Sequence, residues 1–494
     1  MQTVWVLGDQ LNRSTGALRD ADPAGTRVLF VRSEAKLASK RWHRQRLHLV
    51  LTAMRRFADE LAAEGFAVDW REAPSLAAGL TAHRAAHRPD RVVAMAPLSW
   101  DGLHLLRRLD VEVVANDQML CSAEEFALGG RSSPTPDGGL LPLAASTARL
   151  PHGRRRAGRG PLELRRRQPR APTGRRPDVA GAGRRRPRRG GSGRAGVAPV
   201  VVRGGRAHRA VGHQPRRCPR PAAPVRRRGP AAVRPPRGRH APGRLAPRPL
   251  AAVAVPQPRP AAPREVVEAA EAAHRAGRVP IASAEGFVRQ VIGWREYVWG
   301  VFWLWMPEYR RENQLGATRS LPPAFTDPAA TEMACVAHTV RGVQSRGWVH
   351  HIERLMVLGN LALLAGVAPG ALVEWMWASF VDGAEWVMLP NVLGMALHAD
   401  GGRMATKPYA AGGAYVDRMS DHCAGCRYDP RRRVGDDACP FTTLYWDFLA
   451  RHEEALRGNH RMSRQLAALR RLRDLEDVRS RAAEVLVRLD AGTL

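Results

Sequence analysis

The chain has 494 residues, which excludes a disulfide-held miniprotein, and its varied composition excludes a collagen or a coiled coil, so it has room for two or three domains with real cores. Lys and Arg number 78 against 46 Asp and Glu, a net charge of +32 that taken alone suggests a nucleic-acid binder. The charge is not spread along the chain. Residues 131–263 hold 33 Arg, no Lys and three acids (Asp137, Glu163 and Asp178), so +30 of the total lies there and the rest is nearly neutral.

The first 120 residues alternate short β-branched runs with helical patterns. The runs are Val4–Gly8, Arg27–Val31, Ala67–Trp70, Arg91–Met95 and Val111–Ala115, and the longest helical pattern covers Trp42–Glu64. Strands separated by single helices imply right-handed crossovers, which predicts an α/β domain over residues 1–129 built on a doubly wound parallel sheet.

The Arg-rich stretch of residues 130–263 supports two readings. From residue 131 it contains no Phe, Tyr, Trp, Ile, Met, Asn or Lys and is crowded with Pro, Gly and Ala, so it lacks the apolar surface needed to offset the entropy of ordering. One reading is a disordered basic linker; the other is GC-rich DNA translated out of frame. Leu141–Arg170, back-translated with permitted codons and shifted forward by one nucleotide, can read YRWQRRRLAYLMDGDEPAGGRWNFDAGNR, with ordinary aromatics and acids. Gln257–Pro263 shifts to NLGLLHP, running directly into the helical REVVEAAEAAHRAG at Arg264. On that reading a product of the literal sequence is impaired.

From Arg264 onward apolar residues recur three and four apart, predicting an all-α domain over 264–494. Its most apolar run, Val298–Met306, is too short to span a bilayer and predicts a buried helix. Six cysteines and no N-terminal apolar leader suggest a reducing compartment, the cytoplasm, and no membrane role.

Cysteine spacing carries the strongest chemical signal. Cys423 and Cys426 form a C-x2-C pair, Cys439 follows after twelve residues, and Cys335 lies far upstream. Four thiolates suit tetrahedral zinc or a 4Fe-4S cluster, and on spacing alone zinc is the commoner occupant. Cys121 reads as a core residue.

Several longer stretches carry a family resemblance: GDQL at Gly8–Leu11, WHRQRLHLVLTAMRRFA at Trp42–Ala58, EGFVRQVIGWREYVWG at Glu285–Gly300, HHIERLMVLGN at His350–Asn360, LPNVLGMALHADGG at Leu389–Gly402, KPYAAGGAYVDRMSDHCAGCRYD at Lys407–Asp429 and ACPFTTLYWDFLARH at Ala438–His452. Together they resemble photolyase-related proteins of the cryptochrome/photolyase superfamily, and more narrowly the bacterial branch with an iron-sulfur cluster whose members repair (6-4) photoproducts. The resemblance implies a lumazine-type antenna chromophore in the α/β domain, FAD in the helical domain and a 4Fe-4S cluster on Cys335, Cys423, Cys426 and Cys439. It also implies a monomer that acts on UV-damaged DNA as a DNA photolyase, a lyase.

By motif position the same resemblance assigns Trp294, Arg295, Asn391, Met395 and Asp400 to the flavin. It assigns His350, His351 and Tyr409 to the repair site, and Trp375 to the electron path that reduces the flavin. Two adjacent imidazoles suit proton transfer, because their ordinary pKa lets either form exist near neutrality. Packing or turn roles compete at each position: an Asn after Pro or an Asp before Gly-Gly commonly fixes a turn, and a Trp on an amphipathic helix is commonly core. The family's usual aromatic shortly before the first cluster cysteine is missing here; Trp377 and Phe325 are the candidate substitutes. Two other functions compete with repair, a blue-light photoreceptor without repair and a non-enzymatic, metal-containing nucleic-acid binder with an Arg-rich arm.

Overall fold

The structure is a computed structural model and describes residues 1–131 and 262–494. The Arg-rich segment therefore lies outside the described residues except at its ends, which close the helix Ala123–Arg131 and open the helix Pro263–Arg275.

The N-terminal part is built on five parallel strands, β1 (Gln2–Trp5), β2 (Thr26–Ser33), β3 (Ala67–Ala73), β4 (Val92–Met95) and β5 (Glu112–Val114), in the order β3-β2-β1-β4-β5. The chain steps outward from β1 through β2 to β3, then crosses back to β4 and β5, the doubly wound arrangement that the alternating pattern predicts. Val4 of β1 sits in register with Val28 and Val93. Side chains alternate between the two faces. Val4, Val28 and Phe30 pack with Met54, Phe57 and Leu61 of the helix Arg44–Ala63, whereas Trp5, Leu29 and Val31 pack with Leu80 and Leu106 on the opposite side. Both faces are covered, which is why the strands read as nearly continuous apolar runs.

The first strand differs from its prediction. It starts at Gln2 and ends at Trp5 rather than at Gly8: the Val6 amide still donates to Leu29 O at 3.0 Å, and the chain then turns, the Gln10 amide donating to Leu7 O at 3.0 Å and Gln10 Nε2 to Met95 O at 2.8 Å.

The described C-terminal part is mostly helical around one large apolar core, and Glu296–Trp305 is the buried helix expected there. Three π-helical stretches, Arg289–Arg295, Arg354–Gly359 and Leu389–Ala396, interrupt what the sequence reads as ordinary helix. Each contains a glycine. At two of them close packing explains the residue: a Cβ on Gly359 would lie 2.9 Å from Ala396 Cβ, and one on Gly394 would lie 2.3 Å from Tyr309 Oη. Single π turns within helices are frequent at functional sites.

Buried charges join the helical part to the sheet part. Glu296 is fully buried, accepts from the Leu120 and Cys121 amides at 2.8 and 3.0 Å, and pairs with Arg295 Nη1 at 2.7 Å. Glu385 accepts from the Trp100 amide at 3.0 Å and pairs with Arg310. Arg46 reaches the Trp377 and Phe380 carbonyls. Among the described residues no helix is long and apolar enough to cross a membrane.

Candidate functional site

The four sequence-predicted cysteines come together. Cys335 is buried near the start of the helix Ala334–Arg346, Cys423 lies in the 3-10 turn His422–Gly425 that Cys426 caps, and Cys439 is the buried N-cap of the helix Pro440–Arg451. All four line one small cavity, closed by Met333, Tyr428 and Phe441. Gly413 lets the backbone approach: a Cβ there would lie 2.8 Å from Cys439 Sγ. Burial raises every thiol pKa that shifts. Cys335 is pushed well up by burial and then by the neighbouring cysteines, Cys423 to about 12 by burial and then Cys439, and Cys439 to about 11 by burial. These three thiols become thiolates readily only when a cationic centre compensates them.

Tetrahedral zinc at its usual sulfur distance holds its sulfurs about 3.8 Å apart. Among the described residues the three-ligand groups whose donor atoms all fall within 4.8 Å are Asp69–His83–His87 and His338–Glu353–His422, and no set of these cysteines is one of them.

The flavin candidates fall on the π-helical stretches: Trp294 and Arg295 on the first, Asn391 and Met395 on the third. Asn391 Nδ2 donates to Val387 O at 2.8 Å, while its amide oxygen has no hydrogen-bond partner among the described residues. Trp294 and Met395 are half-buried against the helical core. Arg295 is largely committed to protein partners, Glu296 and the Gln118 carbonyl at 2.7 Å, but its buried Nε has no partner. Asp400 instead holds its own turn, accepting from Tyr309 Oη at 2.9 Å, the Gly402 amide at 3.0 Å and the Met404 amide at 2.9 Å.

The histidine pair caps a short helix just before the second π stretch, with ring centroids 4.5 Å apart. His350 Nδ1 accepts from the Ile352 amide at 3.3 Å, so the proton of its neutral ring sits on Nε2. His351 is exposed to solvent, yet surrounding protein still lowers its pKa by desolvation, with Arg354 adding to the effect. Tyr409 is 38% exposed.

Trp375 meets Phe325 edge-to-face at 5.3 Å, and Phe325 belongs to a turn packed against the cysteine-bearing helix. Trp377 points elsewhere, onto Trp42 at 6.2 Å with Lys40 Nζ 4.3 Å from its ring. Of the two substitutes, Phe325 is therefore the one beside Trp375.

Sequence reasoning missed a polar group formed by Asp9, Lys36 and Arg46. Solvent reaches Asp9, but enough protein surrounds it that desolvation raises its pKa against the pull of Lys36 and Arg46. Burial lowers Arg46 to about 10. The GDQL motif held Asp9, but nothing in the text linked it to residues so far away.

Residues 4–133 match the family described as deoxyribodipyrimidine photo-lyase-related protein. The chain is 48% identical over 228 residues to a (6-4) photolyase of Agrobacterium fabrum; the match covers 46% of this chain and 45% of that relative, so the chain spans less than half of its length. It is 27% identical over 134 residues, 27% of this chain, to the whole of an uncharacterized protein of Acanthamoeba polyphaga mimivirus. In fold it is similar to a bacterial class III photolyase from Agrobacterium tumefaciens, with a TM-score of 0.52 and 13% identity over 99% of this chain and 98% of that one. The resemblance to the cryptochrome/photolyase superfamily, and within it to photolyase-related proteins, is thus met in family, relative and fold.

Proposed function

We propose that the chain is a light-driven DNA repair flavoprotein acting on (6-4) photoproducts, with FAD in the helical part and a 4Fe-4S cluster on Cys335, Cys423, Cys426 and Cys439. The observation that carries this reading is the convergence of those four cysteines on one cavity. The 48% identity to a (6-4) photolyase supports the choice of lesion.

The residues suit a flavin. Arg295 Nε, Trp299 Nε1 and Trp386 Nε1 are buried donors without partners, an expensive state that a polar cofactor would relieve. Asn391 would present its unpaired amide oxygen, and Trp294 and Met395 would supply apolar wall. When bound, reduced FAD supplies an electron on excitation. His351 would move the proton between the bases of the lesion, its pKa lowered first by desolvation and then by Arg354. His350 would hold the turn that aims it. Tyr409 would meet the DNA from its exposed position, and Trp375 with Phe325 would carry electrons toward the flavin. The Asp9–Lys36–Arg46 group would supply polar contacts to a lumazine-type antenna. UV-damaged DNA is the partner, and the protein would act as a cytoplasmic monomer.

A visible spectrum with iron analysis tests the cofactors, since zinc is colourless. A light-dependent assay on a (6-4) oligonucleotide separates repair from photoreceptor signalling; flavin and iron without repair would favour the photoreceptor.

A further inference from the structure

We propose that His338, Glu353 and His422 form a binding site for a divalent transition-metal ion of the zinc class, separate from the four cysteines. One ligand atom from each lies within 4.8 Å of the other two, and all three side chains are half-buried. The two imidazoles face one another with centroids 4.8 Å apart at 44°. Among the described residues neither ring nitrogen of His338 or His422 makes a hydrogen bond. Glu353 Oε2 accepts from the His350 amide at 3.0 Å, and its other oxygen has no hydrogen-bond partner among the described residues.

Two imidazoles and a carboxylate are the three-ligand set that binds zinc with one position left open. Their nitrogen content argues against magnesium or calcium, which take oxygen. The donors come from three separate segments: the helix Ala334–Arg346, the cap of His351–Glu353 and the turn His422–Gly425. An ion would therefore clamp the His350 cap to the loop that carries Cys423.

The second three-ligand group shows what a non-site looks like. His83 uses both nitrogens, meeting Thr3 Oγ1 at 2.8 Å and Asp69 Oδ2 at 2.6 Å, and Arg71 Nε occupies the same carboxylate oxygen at 2.7 Å. A cation already sits there. Among the described residues no arginine or lysine pairs with Glu353.

The test uses the untagged full chain, stripped with a chelator under conditions that retain iron, then equilibrated with zinc chloride and desalted for zinc and iron analysis. One retained zinc per chain at unchanged iron is expected, with His338→Gln and His422→Gln each weakening zinc binding at least about tenfold. Copper(II) titrated into the same protein should give an electron paramagnetic resonance spectrum with coupling to two imidazole nitrogens. No retained zinc in the unaltered chain, or full retention in the doubly substituted chain with iron intact, overturns the proposal. If the double variant loses iron, the copper spectrum of the unaltered chain decides, and coupling to fewer than two nitrogens overturns it.

Discussion

His350 and Glu353 form a capping box: the Glu353 carboxylate accepts from the His350 amide at 3.0 Å while the His350 ring accepts from the backbone of the turn. One member of the histidine pair is thus fixed by backbone bonding, and its neighbour at 4.5 Å, His351, is left for chemistry. The two substitutions should separate. His351→Ala should lower light-dependent repair by about 10²-fold or more with flavin content and melting temperature unchanged. His350→Ala should cost about 1 kcal/mol of stability through the lost cap, visible as a lower melting temperature. Equal repair in His351→Ala and the unaltered chain would make the pair structural.

Cys426→Ala should remove the broad cluster absorbance and bound iron together. Because the cluster would tie Cys335 on its helix to the distant Cys423–Cys439 segment, the helical part should also melt at lower temperature. Iron analysis and circular dichroism check the two effects; a variant that keeps its iron contradicts the ligand assignment.

Trp375 and Trp377 are two residues apart but point to different neighbours, Phe325 and Trp42. Trp375→Phe should slow photoreduction of the flavin followed by absorbance under blue light, and Trp377→Phe should leave it unchanged. The opposite ranking would move the path to the sheet side.

His452 titrates far below its ordinary range, at about 4, because burial and then Arg451 disfavour its charged form. The unfolded chain takes up this proton near pH 6.5 and the folded chain does not, so stability falls as the pH drops below 6.5 and the loss is complete once it passes about 4. Discounted for the ring's partial exposure, the contribution is about 1–2 kcal/mol. Urea unfolding at pH 7 and 4.5 should show a smaller stability difference in His452→Gln than in the unaltered chain.

Much of this was legible in the sequence because it is local. β-branched runs separated by single helices gave the doubly wound sheet, and the C-x2-C pair with its downstream partner gave three of the four clustered cysteines. The π-helical stretches were not legible, since over six to eight residues a wider turn leaves the same apolar pattern as an α-helix. Asp400 reads as a flavin contact by motif, and its bonds from Tyr309 and two amides are a relationship across the fold that text cannot display. The same holds for Asp9 with Arg46 and for His338 with His422, pairs made by folding rather than by spacing.

Light-driven repair is checked on an oligonucleotide carrying a single (6-4) photoproduct, with bound FAD measured alongside. The assay should be run on the literal chain and on the version in which the gene's codons for residues 131–263 are read one nucleotide forward. The account predicts repair by the shifted version under blue light and none in the dark, with less FAD and slower repair in the literal chain. Full flavin and full repair in the literal chain would contradict the frame reading, and the absence of light-dependent repair from both would contradict the function.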